Sequence, residues 1–125
     1  MRSVLLSVAF ASIFAAPLAT HAASVSDDLM AGYYGNTAIS TGGRAEVHIL
    51  YNPDHTFVLK VPVYAMEFRG TWAVKGSTIC FNYEMAPPGV DNPDCSPLVP
   101  HKVGDSWIEK ADDGTRKLTL VAGAQ

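Results

Sequence analysis

The sequence predicts an all-β fold: an antiparallel meander of seven or eight short strands, most simply closed as a small up-and-down barrel, with a two-sheet sandwich as the alternative. Three observations predict it. From Tyr33 onward apolar residues recur at every second position, the signature of half-buried strands. Each run is short and ends in residues rich in Gly, Pro, Asn or Asp, which favour tight turns. Only one segment, Ser24 to Ala31, carries helix signals, with Ser26 as a cap, Asp27 and Asp28 in the first turn and Gly32 as the stop.

The elements follow in order. Tyr33 to Ile39 reads as a first strand, ended by Ser40-Thr41-Gly42-Gly43. Next, Ala45, Val47, Ile49 and Tyr51 share one face, with Glu46 and His48 on the other. Asn52-Pro53-Asp54-His55 forms a turn, because Pro53 presets its backbone torsion and Asn52 and Asp54 bond locally. Phe57, Leu59, Val61 and Val63 then face inward, opposite Thr56 and Lys60, and Pro62 falls on the outer face near the strand end. A fourth strand turns Phe68, Gly70, Trp72 and Val74 inward and Glu67, Arg69, Thr71 and Lys75 outward. After Gly76, Ile79, Phe81 and Tyr83 point inward, and Thr78, Cys80 and Asn82 outward. Met85 to Pro97 reads as a proline-rich loop, and long ordered loops often carry function. The alternation resumes at Leu98 to Val103, breaks at Gly104-Asp105-Ser106 and continues from Trp107 to Lys110. Asp112-Asp113-Gly114 signals a hairpin, and Thr115 to Val121 supplies the last strand. So many strands must curl closed or split into two sheets to protect their edges.

The N-terminus has the three parts of an export signal. Arg2 supplies positive charge, Val4 to Ala16 is uncharged and largely apolar, and Pro17 precedes the small residues of Ala19-Thr20-His21-Ala22-Ala23. The apolar run falls short of the roughly 20 residues that span a bilayer. Residues 1–22 are therefore expected to be a signal peptide, and residues 23–125 a single β domain in the periplasm or outside the cell. Losing residues 1–22 removes Arg2 and leaves 103 residues with eight basic and twelve acidic side chains, a formal charge of −4. The basic residues are scattered along the chain, which lacks the basic stripe of a nucleic-acid binder. Partners are accordingly expected to be a protein or a small apolar ligand, without nucleic acid, stable membrane insertion or a cofactor.

Cys80 and Cys95 would be exported together, and two thiols in an oxidising compartment most simply form one disulfide. A loop of that length gives about 3 kcal/mol by chain entropy. The strand phase turns Cys80 outward, so the bond would strap the Met85–Pro97 loop across the outside or rim of the sheet.

Gly70-Thr71-Trp72, followed by Gly76-Ser77-Thr78-Ile79, resembles the strand–turn–strand opening of avidin-like and lipocalin-like barrels. In those families the Gly-x-Trp stands on the first strand, and its Trp plugs one barrel end or touches the ligand. The resemblance supports a barrel architecture and transfers neither a ligand nor a binding residue. It spans about a tenth of the chain and stands four strands in rather than at the first.

Signatures of catalysis are missing: the sequence contains no GxSxG, HExxH, phosphate-binding Gly loop or GxGxxG. His48 and His55 lie on one hairpin beside Glu46 and Asp54, but their spacing does not impose the convergence that zinc requires. Asp91, Asn92 and Asp94 beside Pro93 read as turn residues, as do Asp112 and Asp113. His101, Asp105 and Ser106 can be written as a triad, although closeness in sequence is no guide to triad geometry. The aromatic residues phase with the apolar face and read first as core, second as the lining of a cavity. The function expected is that of an exported, non-enzymatic binding module, with Trp72, Tyr83, Pro87, Pro88 and Asp94 at its contact site. The rivals are a small hydrolase or isomerase using His101 and a structural protein of the envelope.

Overall fold

The computed structural model describes residues 29–125. The expected signal peptide, residues 1–22, and all of the expected Ser24–Ala31 helix but its end lie outside the described residues; Leu29 and Met30 are helical. Eight antiparallel strands form one strongly curled sheet: β1 (Thr37–Thr41), β2 (Val47–Tyr51), β3 (Thr56–Val61), β4 (Met66–Lys75), β5 (Thr78–Tyr83), β6 (Asp94–Pro97), β7 (Ser106–Ala111) and β8 (Gly114–Val121). Their order is β6-β5-β4-β3-β2-β1-β8-β7. Each strand neighbours its successor except β6, which does not meet β7; β1 pairs with β8 instead, so the edges are β6 and β7 and the sheet is a half-barrel. Among the described residues no helix is long and apolar enough to cross a membrane.

The concave face is the core. Register brings Tyr51 opposite Phe57, Leu59 opposite Phe68, and Trp72 opposite Phe81. Phe57 stands edge-on to both Phe81 and Tyr83, with ring centroids 5.0 Å apart in each pair. Trp72, Phe57, Met30 and Leu120 are fully buried, so side chains fill the trough. Each such large apolar side chain contributes about 1.5–3 kcal/mol. Gly70 is required here: a Cβ would lie 2.9 Å from the Phe57 ring and would collide with the Asn82 carbonyl oxygen. The Gly-x-Trp segment thus places a gap and a large ring two residues apart on one face.

Four expectations are corrected. Tyr33 and Tyr34 precede the first strand, which runs Thr37–Thr41. The Tyr33 N–H bonds to Met30 and the Asn36 N–H to Tyr33, and Gly35 at φ 71° completes the reversal that breaks the extended run. Val63 does not face inward: Pro62 opens a 3-10 turn, Pro62–Tyr64, and Val63 is 72% exposed. The last four residues of the expected Met85–Pro97 loop form strand β6, paired to β5 with Cys80 opposite Cys95. Leu98 to Val103 is an irregular connection, where Leu98 is buried and donates its N–H to Ser77. Pro100 lacks the donor a ladder needs there, and Gly104 at φ 96° turns the chain into β7.

The Cys80–Cys95 disulfide is formed. It joins β5 to edge strand β6 on the outer face, the side that the phase of Cys80 indicated.

Candidate functional site at the open end of the half-barrel

Antiparallel strands send their turns alternately to two ends. At one end the β2–β3 turn, the β4–β5 turn and residues 29–35 meet, and the trough is plugged. Met30 and Tyr33 are buried there, and the Tyr33 hydroxyl donates to the Val99 carbonyl at 2.8 Å. His55 stacks on Trp72 with centroids 4.1 Å apart, and Tyr34 lies on the same indole at 5.9 Å. His101 stacks on Trp107 at 3.6 Å. Burial pushes the Tyr33 and Tyr51 phenols well above their ordinary value, with the Glu109 carboxylate adding to the shift of both. The Trp72 indole N–H has no hydrogen-bond partner among the described residues.

The opposite end gathers the β1–β2 turn, the 3-10 bend between β3 and β4, the β5–β6 loop and the β7–β8 turn. A cleft of about 260 Å³ opens there. Apolar side chains of Val61, Tyr64, Met66 and Phe68 form one wall, Pro87 and Pro88 another, and Arg44, Arg116 and Asp113 supply its charge. A second cleft of about 470 Å³ lies on the outer side of the same bend, lined by His48, Lys60, Pro62, Met66, Glu67 and Gln125. Between the two clefts project Val63, Tyr64 and Met66, which are 72, 61 and 41% exposed. Met85, on the β5–β6 loop, is 77% exposed.

Electrostatics at this end centre on Arg116. Its terminal nitrogen donates to Asp113 at 3.1 Å, and this bond holds the Asp113 carboxyl below its ordinary value. Its Nε is buried without a hydrogen-bond partner among the described residues. Asp94 sits on the concave face of β6, where burial, then the charge of Asp91, raise its carboxyl above 3.8, with Arg116 opposing. Tyr83 is pushed up to about 12, by burial first and the charge of Asp94 second.

The expected contact residues therefore separate. Pro87 and Pro88 line the open cleft. Trp72 is 2% exposed and belongs to the plugged end, whereas Tyr83 is core packed on Phe57. Asp94 flanks the trough near the β5–β6 loop. Asn92 acts structurally, since its side chain accepts from the Tyr83 N–H and donates to the Tyr83 carbonyl, each at 3.0 Å, extending the ladder beyond β6. Tyr64, Met66, Arg44 and Arg116 were missed. The run Val61-Pro62-Val63-Tyr64-Ala65-Met66 loses its alternation at a proline, and Arg116 shares the parity of Leu118 and Leu120. Those residues carried a signal in the sequence; Arg44 carried none.

Among the described residues the three histidines do not converge on one another. His48 pairs with Glu46 at 2.6 Å on the outer face, while His55 stacks on Trp72. His101 Nδ1 lies 3.4 Å from Asp105, but the Ser106 hydroxyl bonds Thr119 at 2.9 Å on the outer face. Ser106 and the Trp107 that carries His101 point to opposite sides of β7. His55 stays in the exposed β2–β3 turn that the sequence indicated, with one ring face on Trp72, whereas His101 lies half-buried in an irregular connection instead of a strand. Among the described residues no three His, Cys, Asp or Glu side chains are grouped to hold a metal ion. Comparison with protein-family models, curated proteins and solved structures finds no match to this chain.

Proposed function

We propose that this protein is an exported binding module that engages a protein partner through the open end of its half-barrel. One observation carries the reading: Val63, Tyr64 and Met66 stand exposed on a bend between two clefts, while the trough behind them is filled. Exposed apolar side chains gathered on one projection gain nothing in the free protein, and tyrosine is among the residues that anchor interfaces. A filled trough favours a macromolecular partner over a small apolar ligand held inside. The disulfide is consistent with an oxidising compartment, and with the leader-like residues 1–22 it supports export.

A photo-reactive phenylalanine derivative replacing Tyr64 tests this, with the same group at Lys75, at the far end of β4, as control. The expected result is a discrete protein adduct at position 64 in the producing cell's envelope, absent at 75 and lost when Met66→Asp is added. Equal labelling at both positions, or none at 64, would overturn the reading.

A further inference from the structure

The cleft on the concave side of the bend combines an apolar wall with two guanidinium groups. We infer that it receives an acidic side chain of the partner, flanked by apolar residues, with the carboxylate held between Arg44 and Arg116. This rests on the protein-contact reading above and names the chemistry of the partner segment.

Five observations carry it. Arg44 is exposed and reaches Asp113 only through space, so its donors are open to a ligand. Asp113 accepts one hydrogen bond from Arg116, whereas a guanidinium has five donors in a planar fork suited to carboxylates. The Arg116 head lies against the β1–β2 turn, where a Cβ on Gly43 would sit 3.3 Å from Nε. That Nε is buried and lacks an acceptor among the described residues, so the group is held at the cleft with its hydrogen bonding incomplete. Tyr64, Met66, Phe68, Pro87 and Pro88 then offer apolar contact beside the charge.

Volume favours a side chain over a whole small molecule. The cleft measures about 260 Å³, below the roughly 300–1,000 Å³ of pockets that enclose drug-sized ligands. It is also continuous with the exposed bend through Tyr64 and Met66, so an extended segment can lie across the rim while one residue enters. Charge complementarity selects an acid: among the lining side chains two are cationic and one is anionic.

The test uses an end-capped pentapeptide with one glutamate between two leucines, its glutamine counterpart, and hexanoate as a small carboxylate. The readout is the nitrogen-15 NMR shift of the Arg116 Nε–H, a buried group, and of the Gly43 amide. The glutamate peptide is expected to move both signals saturably, and the glutamine peptide to bind about tenfold more weakly or worse, a difference of about 1.4 kcal/mol. Arg44→Gln and Arg116→Gln should each weaken the glutamate peptide about tenfold; Arg44 is exposed, so its variant stays informative if the other misfolds. Equal affinity for both peptides, or no saturable shift with either, overturns the acidic assignment. Hexanoate binding as tightly as the peptide overturns the peptide assignment in favour of a small carboxylate. Each failure is separable from cross-linking at Tyr64: adducts there with no preference for glutamate leave the docking reading standing and remove only this one.

Discussion

The two ends of the half-barrel use their aromatic and apolar side chains in opposite ways. At the plugged end Tyr33, His101 and Trp107 lie on one another, His55 and Tyr34 lie on Trp72, and Met30 is buried. At the open end Val63, Tyr64, Met66 and Met85 face water, around a cleft whose charged residues are incompletely paired. Both ends belong to the same continuous sheet, so the difference lies in what covers each. Residues 29–35 and the 98–105 connection close one end, whereas four turns leave the other open. Stability is therefore expected to concentrate at the plugged end and recognition at the open one.

The strongest way to break this comparison is Trp72→Ala, which should cost about 3–5 kcal/mol in urea unfolding, as large-to-small changes in tight cores do. Trp72→Phe should cost much less, because it also removes the indole N–H that has no hydrogen-bond partner among the described residues. A loss below about 1 kcal/mol for the alanine variant would mean that the plug is not what stabilises the fold.

Next in size is the disulfide. Cys80→Ser with Cys95→Ser opens a link between residues 15 apart in sequence. The expected loss is about 3 kcal/mol, with amide exchange rising first in β6, which has a neighbour on one side only. Exchange rising equally in β1, deep in the sheet, would show that the bond braces the whole fold rather than its edge.

Asp94 gives a smaller, pH-dependent effect. Its carboxyl is raised in the folded state, so its favourable contribution is present below pH 3.8 and lost as pH rises through the folded value. Near neutral pH the charge opposes folding. Because Asp94 is partly exposed and solvent screens its charge, Asp94→Asn should stabilise the protein only slightly at pH 7, and the advantage should vanish as the pH falls below 3.8. An advantage that persists in acid would point to packing instead of charge.

The smallest effect belongs to the open end. Tyr64→Ala should leave thermal stability within about 0.5 kcal/mol, since the ring is 61% exposed. A larger loss would give the bend a structural role and blur the contrast between the ends.

Strand alternation alone determined most of the sheet. The inward series Phe57, Leu59, Trp72, Ile79, Phe81 and Tyr83 is buried as the pattern implied, and Cys80 faces outward as its phase required. This worked because side chains on a strand alternate rigidly, so burial on one face is written locally. The placement of Pro87 and Pro88 on a loop was legible for a similar reason, since proline excludes itself from ladders. What tertiary structure decided was everything that depends on strands meeting out of sequence. The pairing of β1 with β8 set which edges stay open, and Cys80 opposite Cys95 turned the end of a presumed loop into β6. The stacking of Tyr34 and His55 on Trp72, and of His101 on Trp107, likewise joins rings from separate elements at the plugged end. Arg44 and Arg116, 72 residues apart, share a cleft only because the β1–β2 and β7–β8 turns reach the same end. Periodicity reports which face a residue occupies. Only packing reports what stands across from it.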